Sequence, residues 1–100
     1  MKVVAIITFR STGTPEATRE QLKAEADQLW ELHTAGKLRE MYYRKDKPGG
    51  LLVFEIESLE AANEVLSQLP SIKLDLASVD CFPVGQIIPL EPHQSGDAES

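Results

Sequence analysis

The order of predicted strands and helices constrains the fold more than any other feature of this sequence. Periodicity, capping residues and turn residues predict six elements: a strand at 2–9, a helix ending near 35, strands at 38–45 and 51–57, a helix between 58 and 70, and a strand at 78–88. This βαββαβ order is typical of a ferredoxin-like α+β fold, in which two helices cover one face of a four-stranded antiparallel sheet. With 100 residues, the chain is long enough for one such domain and too short for two.

The first helix carries signals at both ends. Thr14 is a favoured N-cap residue and Pro15 suits the first helical position, while Gly36 suits the left-handed residue that follows a helix. One stripe of this helix contains four residues at helical spacing, with a tryptophan at its edge: Leu22, Ala26, Leu29, His33 and Trp30. We therefore expect this stripe to face the sheet.

The first strand predicts an assembly as well as a fold. Residues 3–7 are all apolar, without the alternation of a strand that has one face in water. Two helices cover only one sheet face, so the other face needs a cover of its own. Symmetric dimers are the commonest oligomers, and we expect a second copy on this face, giving a dimeric α+β barrel. The domain spans residues 1–90, and the polar residues 91–100 form a tail that we expect to be disordered.

Charge and hydropathy argue against several classes of partner. The 16 acidic residues outnumber the 10 basic ones, for a formal charge of −6, which disfavours nucleic acid and anionic membrane surfaces. No apolar run approaches the roughly 18 residues of a membrane span, and the N-terminus lacks signal-peptide features. We expect an intact cytoplasmic protein.

Cofactor and metal motifs are also missing from the sequence. The single cysteine and two histidines have no metal-ligand spacing, and neither a dinucleotide fingerprint nor a P-loop occurs. Cys81 lies in an apolar run, where a buried small hydrophobe is a better interpretation than a nucleophile. We predict a protein with no cofactor and no metal.

Several segments resemble the muconolactone isomerase family. Residues 36–42 (Gly-Lys-Leu-Arg-Glu-Met-Tyr) are similar to its Gly-x-Trp-Arg-x-Leu-Trp strand, and residues 53–56 are similar to the Phe-Asp-Val step of its next strand. In the helix that follows, residues 58–61 are similar to the family's Ser-Val-Glu-Ala start, and residues 66–70 are similar to its Leu-x-x-Leu-Pro end. An apolar-Asp-apolar step follows at 74–76, and the resemblance covers about residues 20–76. It implies a small cytoplasmic, cofactor-free enzyme, assembled as a dimer or larger ring. The family shifts a double bond in an unsaturated lactone by moving a proton, within aromatic catabolism.

The sequence departs from this family mainly at polar positions. Leu38 and Tyr42 replace tryptophans, and Glu40 replaces a histidine. Gly50 and Leu52 replace an Asn and a Ser, and the family's late His-Pro pair has no counterpart. The resemblance therefore implies the fold more strongly than it implies the substrate.

The hairpin between the second and third strands predicts which side chains share a sheet face. With Asp46 opposite Leu51, Tyr43 faces Phe54 and Met41 faces Ile56. The face toward the helices would then carry six residues: Arg39, Met41, Tyr43, Leu52, Phe54 and Ile56. The other face would carry seven: Leu38, Glu40, Tyr42, Arg44, Val53, Glu55 and Glu57.

Arg39 and His33 are the candidate anion-binding residues. Arginine holds a carboxylate through two parallel hydrogen bonds, and the N-terminus of the second helix, near Ser58 and Leu59, is expected at the same end of the sheet. The alternatives are that Arg39 extends into solvent and that His33 caps the first helix. Trp30 is a candidate substrate platform, with packing as the alternative.

A double-bond shift needs a group that removes and returns a proton, and the candidates are His33 and Glu55. Tyr43 could donate a hydrogen bond to an enolate oxygen, and the alternatives are surface pairing for Glu55 and a core role for Tyr43. We predict a cofactor-free isomerase acting on a small unsaturated carboxylate or lactone. Two alternatives stay open: a cofactor-free monooxygenase or cyclase of the same barrel type, and a non-catalytic ligand-binding protein.

Overall fold

The predicted strands and helices are present in the computed structural model, which describes residues 1–10 and 19–87. In chain order they are β1 (Lys2–Phe9), α1 (Arg19–Thr34), β2 (Leu38–Tyr43), β3 (Gly49–Glu55), α2 (Leu59–Ser67), α3 (Pro70–Lys73) and β4 (Ala77–Val84). The strands form one sheet in the order β2-β3-β1-β4, and every neighbouring pair is antiparallel. The predicted α+β fold is confirmed. The predicted cap at Thr14 and Pro15 and the predicted tail at 91–100 lie outside the described residues.

The core lies between the helices and one face of the sheet. In β1, Val3, Ala5 and Ile7 are buried, and Phe54 of β3 is fully buried opposite Val3. Buried residues of α2, including Leu66, pack into the same cluster. Alternate β1 side chains therefore face the helices, as the strand period of two requires.

The opposite face of the sheet carries no helix among residues 1–10 and 19–87, and we call it the helix-free face. Val4 and Ile6 of β1 lie on it and are half-buried. Val4 is flanked by Val53 of β3 and by Phe82 of β4, which is 41% exposed. The centre of this face is therefore apolar. Pro83 lies in β4, which is an edge strand of the sheet. Proline has no backbone N–H, and an edge strand tolerates this because one of its sides has no neighbouring strand to bond.

The register of β2 against β3 differs from the predicted one by four residues. Tyr43 pairs with Gly50 and Met41 with Leu52, so the predicted pairs with Phe54 and Ile56 were wrong. The turn is centred two residues earlier in the chain than expected. Arg44 stabilises the turn by binding both oxygens of Asp46, at 3.0 and 2.6 Å, and by donating to Thr8 Oγ1 at 2.9 Å. A shift by an even number keeps each side chain on its face, so Met41 and Tyr43 still share a face with Leu52.

A β-bulge at Arg39 changes the faces at the start of β2. Leu38 pairs with Phe54, and the register shifts before Glu40. The extra residue breaks the alternation, so Leu38 is buried at 1% exposure while Arg39 is exposed. The predicted placement of Leu38 on the helix-free face and of Arg39 among the inward residues was therefore wrong.

Gly49 begins β3 at a close approach of two strands. Its φ is +157°, and a Cβ atom there would lie 2.0 Å from the Ile7 carbonyl oxygen. No side chain fits without moving β1 or β3, so this position requires glycine. Gly49 and Gly50 belong to β3, whereas the sequence pattern placed both residues in the hairpin loop before a strand that begins at residue 51.

The two ends of α2 follow the predicted signals in part. Ser58 is the N-cap, and its Oγ accepts a hydrogen bond from the Ala61 N–H at 3.0 Å. Pro70 was predicted to end this helix before an irregular stretch, but it occupies the first turn of the short helix α3. Ser71 of α3 is buried and donates its N–H and hydroxyl to the Glu25 carboxylate, at 2.7 and 2.9 Å. Glu25 thereby fastens α1 to α3.

Asp75 turns the chain from α3 toward β4. Its φ is +60°, a left-handed conformation that aspartate tolerates better than most residues. Arg10 donates to the Asp75 carboxylate at 2.6 Å and to its backbone carbonyl at 3.0 Å. The apolar-Asp-apolar step of the sequence is thus a turn held against the end of β1.

Candidate functional site

A groove between α1 and β2 contains four of the five candidate site residues, three of them in its first lobe. Its first lobe, a pocket of about 290 Å³, is lined by Ala26, Leu29, Trp30, His33, Leu38, Arg39, Glu40 and Met41. The walls are predominantly apolar, and the polar groups come from the end of α1 and the start of β2. The structure therefore brings Trp30, His33 and Arg39 together.

The backbone of β2 orients the His33 ring. Nδ1 lies 3.0 Å from the carbonyl oxygen of Leu38. A carbonyl oxygen only accepts hydrogen bonds, so Nδ1 carries the hydrogen in this contact. In the neutral imidazole the other nitrogen, Nε2, then has a free lone pair. The geometry leaves His33 able to accept a proton at Nε2.

Trp30 lies beside His33 on α1 and is not part of the core. The ring centroids are 5.5 Å apart with an interplanar angle of 41°, and Trp30 is 64% exposed. A large aromatic side chain with this exposure provides a flat surface for a bound ring. The contact with His33 also restricts the position of the imidazole.

Arg39 contributes positive charge to the rim of the first lobe. Its Nε donates to the Gly36 carbonyl at 2.7 Å, which anchors the side chain near the end of α1. Within the described residues, neither Nη group has a hydrogen bond or ion pair, so both are available to a carboxylate. The N-terminus of α2, which we expected nearby, is not part of this lobe, and Ser58 is occupied in capping α2.

Glu55 lies on the helix-free face and does not line the groove. Its Oε2 atom accepts a hydrogen bond from the Met1 amino group at 3.0 Å. This hydrogen bond and the positive charge of the amino group hold the pKa of Glu55 below its usual range. A carboxylate stabilised in this way is a weaker base, so the geometry favours His33 over Glu55 as the proton acceptor.

The Glu55 contact predicts a pH-dependent contribution to stability. A depressed pKa stabilises the folded chain above the ordinary glutamate pKa of about 4.3, and the contribution is lost as the pH falls through the lower folded pKa. We expect wild type to exceed Glu55→Gln in stability at pH 6 and to lose that advantage near pH 3. Urea midpoints of both proteins, at equal concentration, measure this difference. A difference that does not change with pH would contradict the assignment.

Tyr43 is 77% exposed and lines a second lobe of the groove, a pocket of about 320 Å³. This lobe contains Ile7, Phe9, Glu25, Leu29, Met41, Tyr42, Tyr43, Gly49, Gly50 and Leu52. The structure thus separates Tyr43 from His33, although both border the same groove. The alternative of a core role for Tyr43 does not match its exposure.

Glu40 lines the first lobe but was not among the candidate site residues. Its pairing with Val53 keeps it on the helix-free face, as predicted, and it reaches the lobe from the edge strand β2. Its Oε1 accepts a hydrogen bond from the Tyr42 hydroxyl at 2.7 Å, and this bond and the nearby negative charge raise the pKa of Tyr42. The signal for Glu40 in the sequence was its match to a family histidine.

Other reactive groups do not form a second site in the described residues. Cys81 is half-buried against the core, as expected for a small hydrophobe, and burial raises the pKa of its thiol. Residues 1–10 and 19–87 contain no group of three or more His, Cys, Asp or Glu placed to hold a metal. Within the same ranges, no helix is long and apolar enough to cross a bilayer.

Comparisons with known proteins agree on the fold. The family model of muconolactone delta-isomerase matches residues 3–96. A search of curated proteins found no significant match. Among solved structures, a muconolactone isomerase is 23% identical over 93% of this chain and 96% of its own, with a TM-score of 0.72. The 5-chloro-2-hydroxyhydroquinone dehydrochlorinase of Burkholderia phenoliruptrix, in complex with 2,5-dihydroxybenzoquinone, is 18% identical over 85% of this chain and 94% of its own, with a TM-score of 0.70.

Proposed function

Because the chain belongs to the muconolactone delta-isomerase family, we propose that it is a cofactor-free isomerase of aromatic catabolism. Its substrate is a small unsaturated carboxylate or lactone that binds in the groove between α1 and β2. The observation that carries this proposal is the hydrogen bond between His33 Nδ1 and the Leu38 carbonyl, 3.0 Å long. It leaves Nε2 free in an apolar pocket whose rim also holds Arg39.

The reaction requires one base and conserves all atoms of the substrate. His33 Nε2 removes a proton from the saturated ring carbon at the far end of the conjugated double bond, and the electron pair spreads over the double bond and the lactone carbonyl. The same imidazole then returns its proton to the carbon next to the carbonyl, so the double bond has moved. The apolar walls strengthen the interaction between this enolate and the imidazolium. Arg39 binds the substrate carboxylate and keeps the reacting carbon near His33.

The proposed substrate class is tested by ultraviolet absorbance of muconolactone and related enol-lactones incubated with purified protein. Turnover that depends on the protein supports the isomerase. Binding of these compounds without turnover would favour the non-catalytic ligand-binding protein. Oxygen consumption with an aromatic substrate would favour the monooxygenase. Neither binding nor turnover of any enol-lactone would remove the isomerase proposal.

Arg39→Lys should weaken binding of a carboxylate ligand by about tenfold to a hundredfold. An ammonium group cannot make two parallel hydrogen bonds to a carboxylate, and a charge-assisted hydrogen bond contributes about 1.5–3 kcal/mol. Arg39 is exposed, so the melting temperature should hardly change. Calorimetric titration with an enol-lactone carboxylate measures the affinity.

The control for Arg39→Lys is Lys37→Gln, which removes a nearby exposed positive charge that does not line the groove. Its affinity should stay close to that of wild type. If Arg39→Lys binds as tightly as wild type, Arg39 only extends into solvent and has no place in the site.

We further propose that the active form is at least a homodimer. The support is the apolar centre of the helix-free face, where Val4, Val53 and Phe82 lie side by side. A second copy would cover these residues with the same residues of its own sheet, as a two-fold axis allows.

A further inference from the structure

The groove does not end with the pocket that holds His33. Its first and second lobes share Leu29 of α1 and Met41 of β2 as lining residues. The second lobe is about as large as the first, at about 320 Å³ against 290 Å³. The two lobes thus form one trough along α1 and β2, with Leu29 and Met41 at its middle.

The length of this trough follows from the elements that form its walls. From Arg39 to Tyr43, four residue steps of a strand span about 13 Å. From Glu25 to His33, eight residue steps of a helix span about 12 Å. A lactone with one ring is much shorter than either wall, so it fills only part of the trough.

The two lobes differ in the charged groups at their borders. The first lobe is bordered by both Arg39 and Glu40, and within the described residues the Nη groups of Arg39 have no hydrogen bond or ion pair. The second lobe is bordered by the Glu25 carboxylate, which accepts both of its hydrogen bonds from Ser71 and is fixed at that end. A bound anion can pair with the guanidinium of Arg39 in the first lobe and meets a carboxylate in the second, so it is favoured near Arg39 and disfavoured near Glu25.

The walls between these ends suit a flat apolar group. Phe9 and Tyr43 line the second lobe, and Met41 lies at the junction, where its flexible thioether can pack against a ring. Tyr43 and Met41 are 77% and 55% exposed, so a large part of their surface is available for burial by a ligand. An aromatic side chain that is as exposed as Tyr43 is well suited to contact a ring of the ligand.

We propose that the unsaturated carboxylate or lactone of the proposed function carries an aromatic substituent, so that the whole molecule is elongated and occupies both lobes. Its carboxylate lies at the Arg39 and His33 end, and a second ring or an equivalent flat apolar part extends past Met41 to Tyr43 and Phe9. The orientation of the reacting end rests on the proposed function, whereas the preference for an extended ligand rests on the shape and charge of the trough alone.

Two carboxylates of different length test this proposal by calorimetric titration. Phenylacetate carries one ring and 4-biphenylacetate carries two in line. We expect 4-biphenylacetate to bind wild type on the order of tenfold more tightly, because the second ring buries apolar surface in the second lobe. Tyr43→Ser should remove most of this preference and leave the affinity for phenylacetate nearly unchanged. Ile87→Ser is the matched control, since Ile87 is 97% exposed and lies outside both lobes.

Each outcome bears on the proposal. Equal affinity for the two acids, no binding of either, or a preference that survives in Tyr43→Ser would overturn the extended substrate. The isomerase proposal is judged separately, by turnover of enol-lactones. A preference for 4-biphenylacetate without any turnover would leave the ligand class standing and remove the catalytic assignment. Turnover of one-ring lactones without the preference for 4-biphenylacetate would support the catalytic assignment and remove the extended ligand.

Discussion

Replacing His33 with glutamine should lower the turnover number for an enol-lactone substrate by roughly a hundredfold to ten thousandfold. Glutamine has an amide N–H that can donate to the Leu38 carbonyl, as His33 Nδ1 does, but it has no lone pair that accepts a proton at neutral pH. The side chain is exposed, so the fold should hold. A loss confined to the turnover number, with ligand affinity near that of wild type, identifies His33 as the base.

The same variant has a spectroscopic control. Trp30 is the single tryptophan of the chain and contacts His33 at 5.5 Å between ring centroids. Replacing the His33 ring changes the surroundings of the Trp30 indole, so the Trp30 emission should differ between wild type and His33→Gln at the same pH. His93→Gln removes the other histidine and should keep both the wild-type emission and the turnover. An unchanged turnover number in His33→Gln would place the base elsewhere.

Introducing a charge at Val4 should convert the protein to monomers. Val4→Asp places a carboxylate between Val53 and Phe82 on the helix-free face. If a second copy covers this face, the charge is buried without a partner, which costs several kcal/mol. Val4 is preferable to Ile6 because Ile6 pairs with Asp80, and a carboxylate there would also repel its neighbour within the sheet.

Sedimentation velocity at micromolar concentration measures this change. Wild type should sediment as at least a dimer and Val4→Asp as a monomer. Asn63→Asp, which adds the same charge at an exposed position of α2, should keep the wild-type assembly. A monomeric wild type would mean that the apolar residues of the helix-free face are not covered by a second copy.

The local sequence pattern was enough to predict the four strands and the two longer helices, but not the short helix α3. The apolar run of β1, the Ser58 cap of α2 and the glycine after α1 each act through contacts within a few residues of the chain. Such short-range preferences add up along an element, which is why the βαββαβ order and the α+β fold could be derived before any coordinates. The resemblance to a family then favoured a double-bond shift by proton transfer and left the monooxygenase or cyclase and the ligand-binding protein as alternatives.

Contacts between distant segments decided the composition of the site. The bulge at Arg39 depends on how β2 meets β3, and it turned Leu38 inward and left Arg39 exposed. The hydrogen bond that lowers the pKa of Glu55 comes from the Met1 amino group, 54 residues away in sequence. An alternating pattern indicates which residues share a face only while the alternation is regular, and a bulge breaks it without a mark in the sequence. The sequence was therefore sufficient for the elements and their order, whereas the tertiary structure determined which side chains share the groove, because strand register is set by turns and pairings that act across the chain.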